Sequence, residues 1–74
     1  MVDDGPMREV IIRDGTIRLG QFLKLADLVD AGGDAKSLLA REVVTVNGET
    51  ETRRGRQLMR GDVVRIGDND VRVG

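Results

Sequence analysis

Apolar positions in the first half of the chain recur at the spacing of an α-helix. Residues at i, i+3, i+4 and i+7 share one helical face, which here consists of Leu19, Phe22, Leu23 and Ala26. Leu25 and Val29 widen this predicted buried face, whereas Lys24 lies outside it. We expect the helix to begin with Thr16 as its N-cap and to end near Ala31–Gly32, where glycine gives the backbone freedom.

A second, shorter helix is predicted directly after Gly32–Gly33. Asp34 can accept hydrogen bonds from the first free N–H groups of that helix. Its apolar face consists of Ala35, Leu38 and Leu39. Val44 and Val46 then alternate with a polar residue, which is typical of a strand. Asn47-Gly48 predicts a tight β-hairpin, because both residues of such a turn must tolerate a positive φ.

Short β-branched or polar runs between turn residues predict the remaining strands, at 9–13, 49–51, 63–66 and 71–73. We expect residues 53–60 to form an arginine-rich loop from which Leu58 enters the core. Together these elements predict an α+β domain, with two short helices packed on a small antiparallel sheet that includes the β-hairpin. Residues 1–7 are expected to be a flexible tail, and residues 8–74 the single domain.

The composition argues against most enzyme classes. A chain of 74 residues forms one small domain with little room for a deep substrate pocket. It contains no His and no Cys, so the usual general base, the usual zinc ligand and disulfides are missing. We therefore expect no catalytic residues, no metal and no cofactor. Since no apolar run approaches the roughly 20 residues of a membrane helix, we expect a cytoplasmic protein without a membrane partner.

Charge is unevenly distributed along the chain, although the formal net charge is −1. The segment 53–60 carries four arginines and no acid, whereas residues 1–14 carry four acids and two arginines. Arginine forks bind phosphate oxygens bidentately, so a face that combined these cations would suit a nucleic-acid backbone. Two helices, the hairpin and the loop supply the candidate RNA-binding residues: Lys24, Lys36, Ser37, Arg41, Asn47, Gly48, Arg53, Arg54, Arg56 and Arg60.

Three other motifs carry less weight. Two adjacent helices could form a DNA-binding helix-turn-helix, but a sheet follows directly and the second helix has few basic residues. The segment Gly32–Ser37 lacks the glycine directly before lysine that a phosphate-binding P-loop requires. The acids Asp68 and Asp70 lack the spacing and the terminal Glu of a calcium loop.

A combination of short motifs indicates a family. The positions concerned are Leu19, Phe22-Leu23-Lys24, Ala35, Leu38-Leu39, Val44-x-Val46-Asn47-Gly48 and Gly61-Asp62-x-Val64. With them, the segment Leu19–Ile66 resembles the RNA-binding domain of the ribosomal-protein S-four type, also called the αL motif. Gly-Gly-Asp-Ala-Lys at 32–36 and Glu-Thr-Arg-Arg-Gly-Arg-Gln-Leu at 51–58 are similar to its small stand-alone bacterial members. The sequence departs from their pattern at Ala31 (usually Ser), Glu42 (usually Gly) and Gln57 (usually Lys).

The resemblance implies a non-catalytic RNA-binding module whose partner is a structured RNA, such as ribosomal or transfer RNA. It assigns the RNA contacts to Lys24, Lys36, Asn47, Gly48, Arg53, Arg54 and Arg56. Phe22 is the only aromatic residue and belongs to the predicted core, so recognition would depend on phosphates and backbone shape. The alternative is a protein-interaction adaptor whose basic face binds an acidic partner, such as a ribosome-associated protein. The sequence leaves the oligomeric state open.

Overall fold

The computed structural model describes residues 8–29 and 32–74. The predicted tail at 1–7 and the departure at Ala31 lie outside these residues. The elements follow the order β1 (Arg8–Val10), β2 (Thr16–Arg18), α1 (Leu19–Leu25), α2 (Gly32–Ala40), β3 (Val44–Val46), β4 (Glu49–Thr50), β5 (Gln57–Met59), β6 (Val63–Ile66) and β7 (Asn69–Val73).

The strands form two sheets. One has five strands in the order β1-β7-β6-β3-β4, and the other pairs β2 with β5. The described fold is therefore α+β with two short helices and a small sheet, as predicted. The strand pairing differs from the predicted antiparallel sheet at one place, because β1 is parallel to β7, with Arg8 beside Val71 and Val10 beside Val73. A parallel pair needs a long connection, and here most of the chain provides it.

The core lies where the helices meet the sheets. Helix α1 buries Leu19, Phe22 and Leu23, and its C-cap residue Ala26 is the fourth buried residue that the helical spacing predicts. Helix α2 adds Ala35 and Leu39. Leu58 is buried as expected, but it enters from strand β5 and not from the predicted loop at 53–60, because residues 57–59 pair with β2. Alternating residues of the large sheet complete the cluster, namely Val44, Val46, Val64, Val71 and Val73. Burial of these aliphatic side chains is the main term that stabilises so small a domain.

The predicted start of the first helix is wrong. Thr16 does not cap a helix; residues 16–18 form β2, which pairs antiparallel with β5. Ile17 stands opposite Leu58 in this pair and packs against the core. The apolar side chain of Ile17 is compatible with a strand as well as with a helix. The strand forms because β5, whose Leu58 lies 41 positions later in the chain, pairs with these residues.

The predicted end of that helix is also wrong. Helix α1 stops at Leu25, and Asp27 adopts a left-handed φ of 62°. Leu25, the last residue of α1, is 54% exposed and does not widen the buried face. Helix α2 already begins at Gly32, so Asp34 lies in its first turn and not at its N-cap. In the first turn, the negative charge of the Asp34 carboxylate still interacts favourably with the positive end of the helix dipole.

The predicted hairpin is confirmed. Strands β3 and β4 are joined by Asn47 and Gly48, which have φ angles of 53° and 88°. Another left-handed residue follows α2, where Glu42 has a φ of 58°. Glycine usually occupies such a position because a Cβ atom is strained there. The chain thus forms the left-handed turn after α2 with Glu42 in place of the glycine that this conformation favours.

Candidate nucleic-acid interface

A buried carboxylate organises the arginine loop, which we define as residues 51–56. Glu51 is only 6% exposed. Its Oε2 accepts hydrogen bonds from the backbone N–H of Thr52 (3.1 Å) and Arg53 (3.0 Å) and from Arg53 Nε (3.1 Å). Its Oε1 accepts from Arg53 Nη2 (3.3 Å) and from Arg56 Nη1 (2.8 Å). One side chain thus fixes both the backbone and two guanidinium groups of the loop.

These contacts hold Glu51 in its ionised form. The hydrogen bond from Arg53, followed by that from Arg56, lowers the pKa of Glu51 from 4.5 to about 2. The same hydrogen bond raises the pKa of Arg53. The Arg53 side chain stays 74% exposed, whereas that of Arg56 is 30% exposed. Arg53 can therefore still reach a ligand, while Arg56 serves mainly to hold the loop.

Sequence reasoning missed the role of Glu51, which it treated only as part of the second hairpin strand. The signal that could have found it is an acid two positions before a segment with three arginines in four residues. Such an acid is well placed to pair with the arginines that follow it.

The arginine loop also completes the start of α1. The backbone N–H of Leu19 donates to the Arg56 carbonyl (2.8 Å), and that of Gly20 donates to the Arg54 carbonyl (2.9 Å). The first N–H groups of a helix have no partner within the helix, so these carbonyls satisfy two of them. A Cβ atom at Gly20 would lie 2.5 Å from Arg54 Cγ. Glycine at this position therefore lets the Arg54 side chain cross the helix start.

Three cations meet at a shallow surface depression beside this junction, which we call the basic groove. It has a volume of about 320 Å³ and is lined by Arg18, Gly20, Gln21, Lys24, Ala35, Arg54 and Gly55. Lys24 and Arg54 are two of the predicted site residues, brought together from α1 and the arginine loop. Arg18 was not among the predicted site residues, because it belongs to β2, where the apolar spacing predicted a helix.

The predicted site residues on and directly after α2 separate into two groups. Ser37 and Arg41 line a second groove of about 300 Å³, which also contains Asp27 and Asp34. Lys36 is exposed and lies about 100° from Ser37 around the axis of α2. Its chain neighbour Ala35 lines the basic groove. The charges around Ser37 and Arg41 are therefore mixed, whereas the basic groove has only cations among its charged lining residues.

The polar groups of Asn47 hold two turns together. Its Nδ2 donates to Asp62 Oδ1 (3.1 Å), and its Oδ1 accepts from the backbone N–H of Val63 (2.9 Å). Asp62 Oδ2 in turn accepts from the backbone N–H of Met59 (2.8 Å). This network links the Asn47-Gly48 hairpin turn to the turn at Gly61-Asp62. The side chain of Asn47 is thus engaged within the protein, and the exposed Gly48 follows it at the hairpin tip.

Arg60 lies away from the arginine loop. It donates to the Ile12 carbonyl (3.2 Å) in the segment that follows β1. Strand β5 separates it from Arg56, and four residues of extended chain span about 13 Å. The structure therefore does not bring Arg60 into the basic groove.

Two properties of the described residues bear on other site classes. In the ranges 8–29 and 32–74, no group of three or more His, Cys, Asp or Glu side chains is arranged to hold a metal ion. Over the same ranges, no helix has both the length and the hydrophobicity required to cross a bilayer.

Comparison with known proteins shows which family and which proteins the chain resembles. A sequence model of the S4 domain matches residues 10–74. The probable ribosome maturation protein RlbA of Bacillus subtilis (strain 168) is 58% identical over 50 residues, which cover 68% of this chain and 70% of that protein. The solution structure of YbcJ from E. coli has a TM-score of 0.66 and 25% identity, covering 99% of this chain and 91% of that one. It is described as an αL motif involved in RNA binding.

Proposed function

Because the chain belongs to the S4-domain family, we propose that it is a non-catalytic module that binds structured RNA through the basic groove and the arginine loop. The observation that carries this proposal is the meeting of Arg18, Lys24 and Arg54 around one open groove. Their cationic groups suit phosphate oxygens, and arginine can bind them bidentately. Arg53, exposed on the same loop, extends the cationic surface.

We further propose that the RNA is ribosomal and that the protein acts in the cytoplasm. The support comes from the similarity to RlbA, which is described as a probable ribosome maturation protein. Most contacts would be to phosphates and riboses, since the chain's single aromatic residue, Phe22, is fully buried. Crosslinking in cells followed by sequencing of the attached RNA tests this target. Fragments dominated by RNAs other than ribosomal RNA would contradict it.

The groove itself is tested by single substitutions. Arg18→Ala and Arg54→Ala should each weaken binding of a fluorescein-labelled RNA stem-loop by about tenfold, a typical loss for a charged contact. Arg65→Ala is the matched control, because Arg65 of β6 pairs with Asp70 of β7 and does not line the groove. Fluorescence anisotropy measures the affinities. Equal affinities for all three variants and the parent would contradict the proposal.

Substitution of the whole arginine loop is a poorer test. Removing Arg53 and Arg56 together would leave the buried Glu51 carboxylate without its guanidinium partners. An unpaired buried charge is strongly destabilising, so lost binding could reflect lost folding. Arg18 and Arg54 avoid this difficulty, since neither contributes a side-chain hydrogen bond to Glu51.

The adaptor alternative is separated from RNA binding by a second measurement. If the protein associates with ribosomal particles through RNA phosphates, nuclease treatment and moderate salt should both release it. Association that survives nuclease treatment, but is released by moderate salt and weakened by Arg54→Ala, would favour an acidic protein partner on the same basic face.

A further inference from the structure

An exposed apolar surface adjoins the basic groove. Leu25 is 54% exposed on the solvent side of α1, and Ile17 of β2 is half-buried. With Gln21 and Lys24 they line an open depression of about 510 Å³, which we call the aliphatic shelf. A single exposed leucine is ordinary on a protein surface. The position of this one, next to a second aliphatic side chain and a cluster of cations, is what requires an explanation.

The aliphatic shelf and the basic groove share two lining residues. Gln21 and Lys24 belong to both depressions. Gln21, Lys24 and Leu25 stand at i, i+3 and i+4, so they form one stripe along α1. One helical turn, about 6 Å, separates Gln21 from Leu25. A ligand with an anionic end and an apolar end could therefore occupy both depressions at once.

We propose that the aliphatic shelf binds one unpaired nucleobase of an RNA whose adjoining phosphate lies in the basic groove. This inference rests on the proposed function and names the kind of RNA it selects. A nucleobase has an apolar face, which fits Leu25 and Ile17, and a polar edge, which the carboxamide of Gln21 can both donate to and accept from. The phosphate fits the cations Arg18 and Arg54.

The shelf favours an unpaired base over a regular duplex. Bases in an A-form helix are stacked on each other, and their faces are covered, so only a bulge, loop or end can present a face to the protein. Aromatic side chains usually receive such bases, but the chain's only aromatic residue is buried in the core. Beside the basic groove, the apolar side chains that can contact such a base are therefore the aliphatic pair Leu25 and Ile17.

Three labelled RNA hairpins test the inference. The first carries one bulged adenosine, the second an abasic ribose at the same bulge, and the third is fully paired. The parent protein should bind the first about fivefold more tightly than the second, as expected for burial of a small apolar area. The first and second have the same backbone charge, so electrostatic attraction alone cannot separate them.

Substitutions at Leu25 then locate the effect. Leu25→Ser should remove the preference for the intact bulge and leave the affinity for the abasic hairpin unchanged. Leu25→Phe should strengthen the preference by about tenfold, because base–aromatic stacking exceeds aliphatic contact. Met59→Ser is the matched control, since Met59 is 59% exposed but does not line the shelf. A gain of affinity by Leu25→Phe cannot result from misfolding.

The outcomes separate this inference from the proposed function. Equal binding of the intact and abasic hairpins by the parent protein overturns the shelf and leaves RNA binding in place. The same holds if Leu25→Ser keeps the full preference, because the base would then be bound outside the shelf. Failure of the parent to bind any of the three hairpins would overturn the proposed function itself.

Discussion

At the scale of single residues, Glu51 combines burial with full ionisation. A buried carboxylate is stable only when it is paired and hydrogen-bonded. Here two guanidinium groups and two backbone N–H groups meet that requirement. Glu51 therefore acts as an internal counter-ion, which lets an arginine-rich loop remain compact before any phosphate is present.

This role predicts a pH-dependent contribution to stability. Because the pKa of Glu51 is lowered from 4.5 to about 2 on folding, its contribution is complete above about pH 5 and is lost as the pH falls toward 2. Glu51→Gln should lower the free energy of unfolding at pH 7 by about 2 kcal/mol. Urea denaturation should show this difference shrinking between pH 5 and 2. The exposed Glu49→Gln is the control, and a constant difference for Glu51→Gln would contradict the assignment.

The left-handed residue after α2 predicts a stabilising substitution. Glu42 has a φ of 58°, where a non-glycine residue is strained by about 1 kcal/mol. Glu42→Gly should therefore raise the free energy of unfolding by about 1 kcal/mol. Arg41→Gly, one residue earlier and without a positive φ, should lower it by about 0.5–1 kcal/mol. Thermal denaturation compares the two, and a loss of stability in both variants would show that Glu42 makes compensating contacts.

At the scale of elements, the β3–β4 hairpin depends on the turn between β5 and β6. Asn47 joins them through Asp62 and the backbone of Val63. The hairpin tip is therefore positioned by a distant part of the chain and not by its turn residues alone. Asn47, a predicted RNA contact, has this structural role whether or not it also touches RNA.

A charge placed at Asn47 tests the connection. Asn47→Asp removes the amide donor and sets two carboxylates side by side, so it should lower the free energy of unfolding by about 1–2 kcal/mol. Adding Asp62→Asn restores one donor and one acceptor at this pair, with the amide now at position 62 and the carboxylate at position 47. The double variant should recover most of the loss in urea denaturation. No recovery would mean that the left-handed turn, and not the Asn47–Asp62 pair, governs the effect.

The elements that sequence predicts well are those with local signals. The buried face of α1 follows from apolar spacing, and the hairpin follows from Asn47-Gly48. Strand β2 could not be predicted in this way, because its three residues become a strand only by pairing with β5. The arginine loop similarly acquires its shape from Glu51 and from two N–H groups of α1. Arg18 was missed for that reason, since its position depends on β2.

At the scale of the whole molecule, the near balance of charge conceals two different surfaces. The chain has 12 Lys and Arg against 13 Asp and Glu. Cations are the only charged residues that line the basic groove, whereas Asp27 and Asp34 line the second groove beside Arg41. An overall charge of −1 therefore does not prevent RNA binding, but only the side of the protein that carries the basic groove should attract the RNA. The protein should approach an RNA with one side only.

Salt dependence measures how many phosphates that side contacts. With three groove cations on phosphates, the log–log slope of affinity against salt should be about −2 to −3. Arg54→Ala should make the slope shallower by about 0.7–0.9, and Arg65→Ala should not change it. A titration from low to moderate salt gives both values. A slope near zero for the parent protein would show that phosphates do not dominate its binding.

The two backbone hydrogen bonds between α1 and the arginine loop allow RNA binding to be followed by hydrogen exchange. The amide protons of Leu19 and Gly20 are covered by the Arg56 and Arg54 carbonyls. Their exchange with deuterated solvent therefore requires the loop to detach from the helix. An RNA that clamps the loop should slow exchange at these two amides more than at Ile12, whose N–H is bonded to Gly74 in the sheet. Nuclear magnetic resonance can therefore detect the binding of unlabelled RNA through the exchange rates of these two amides.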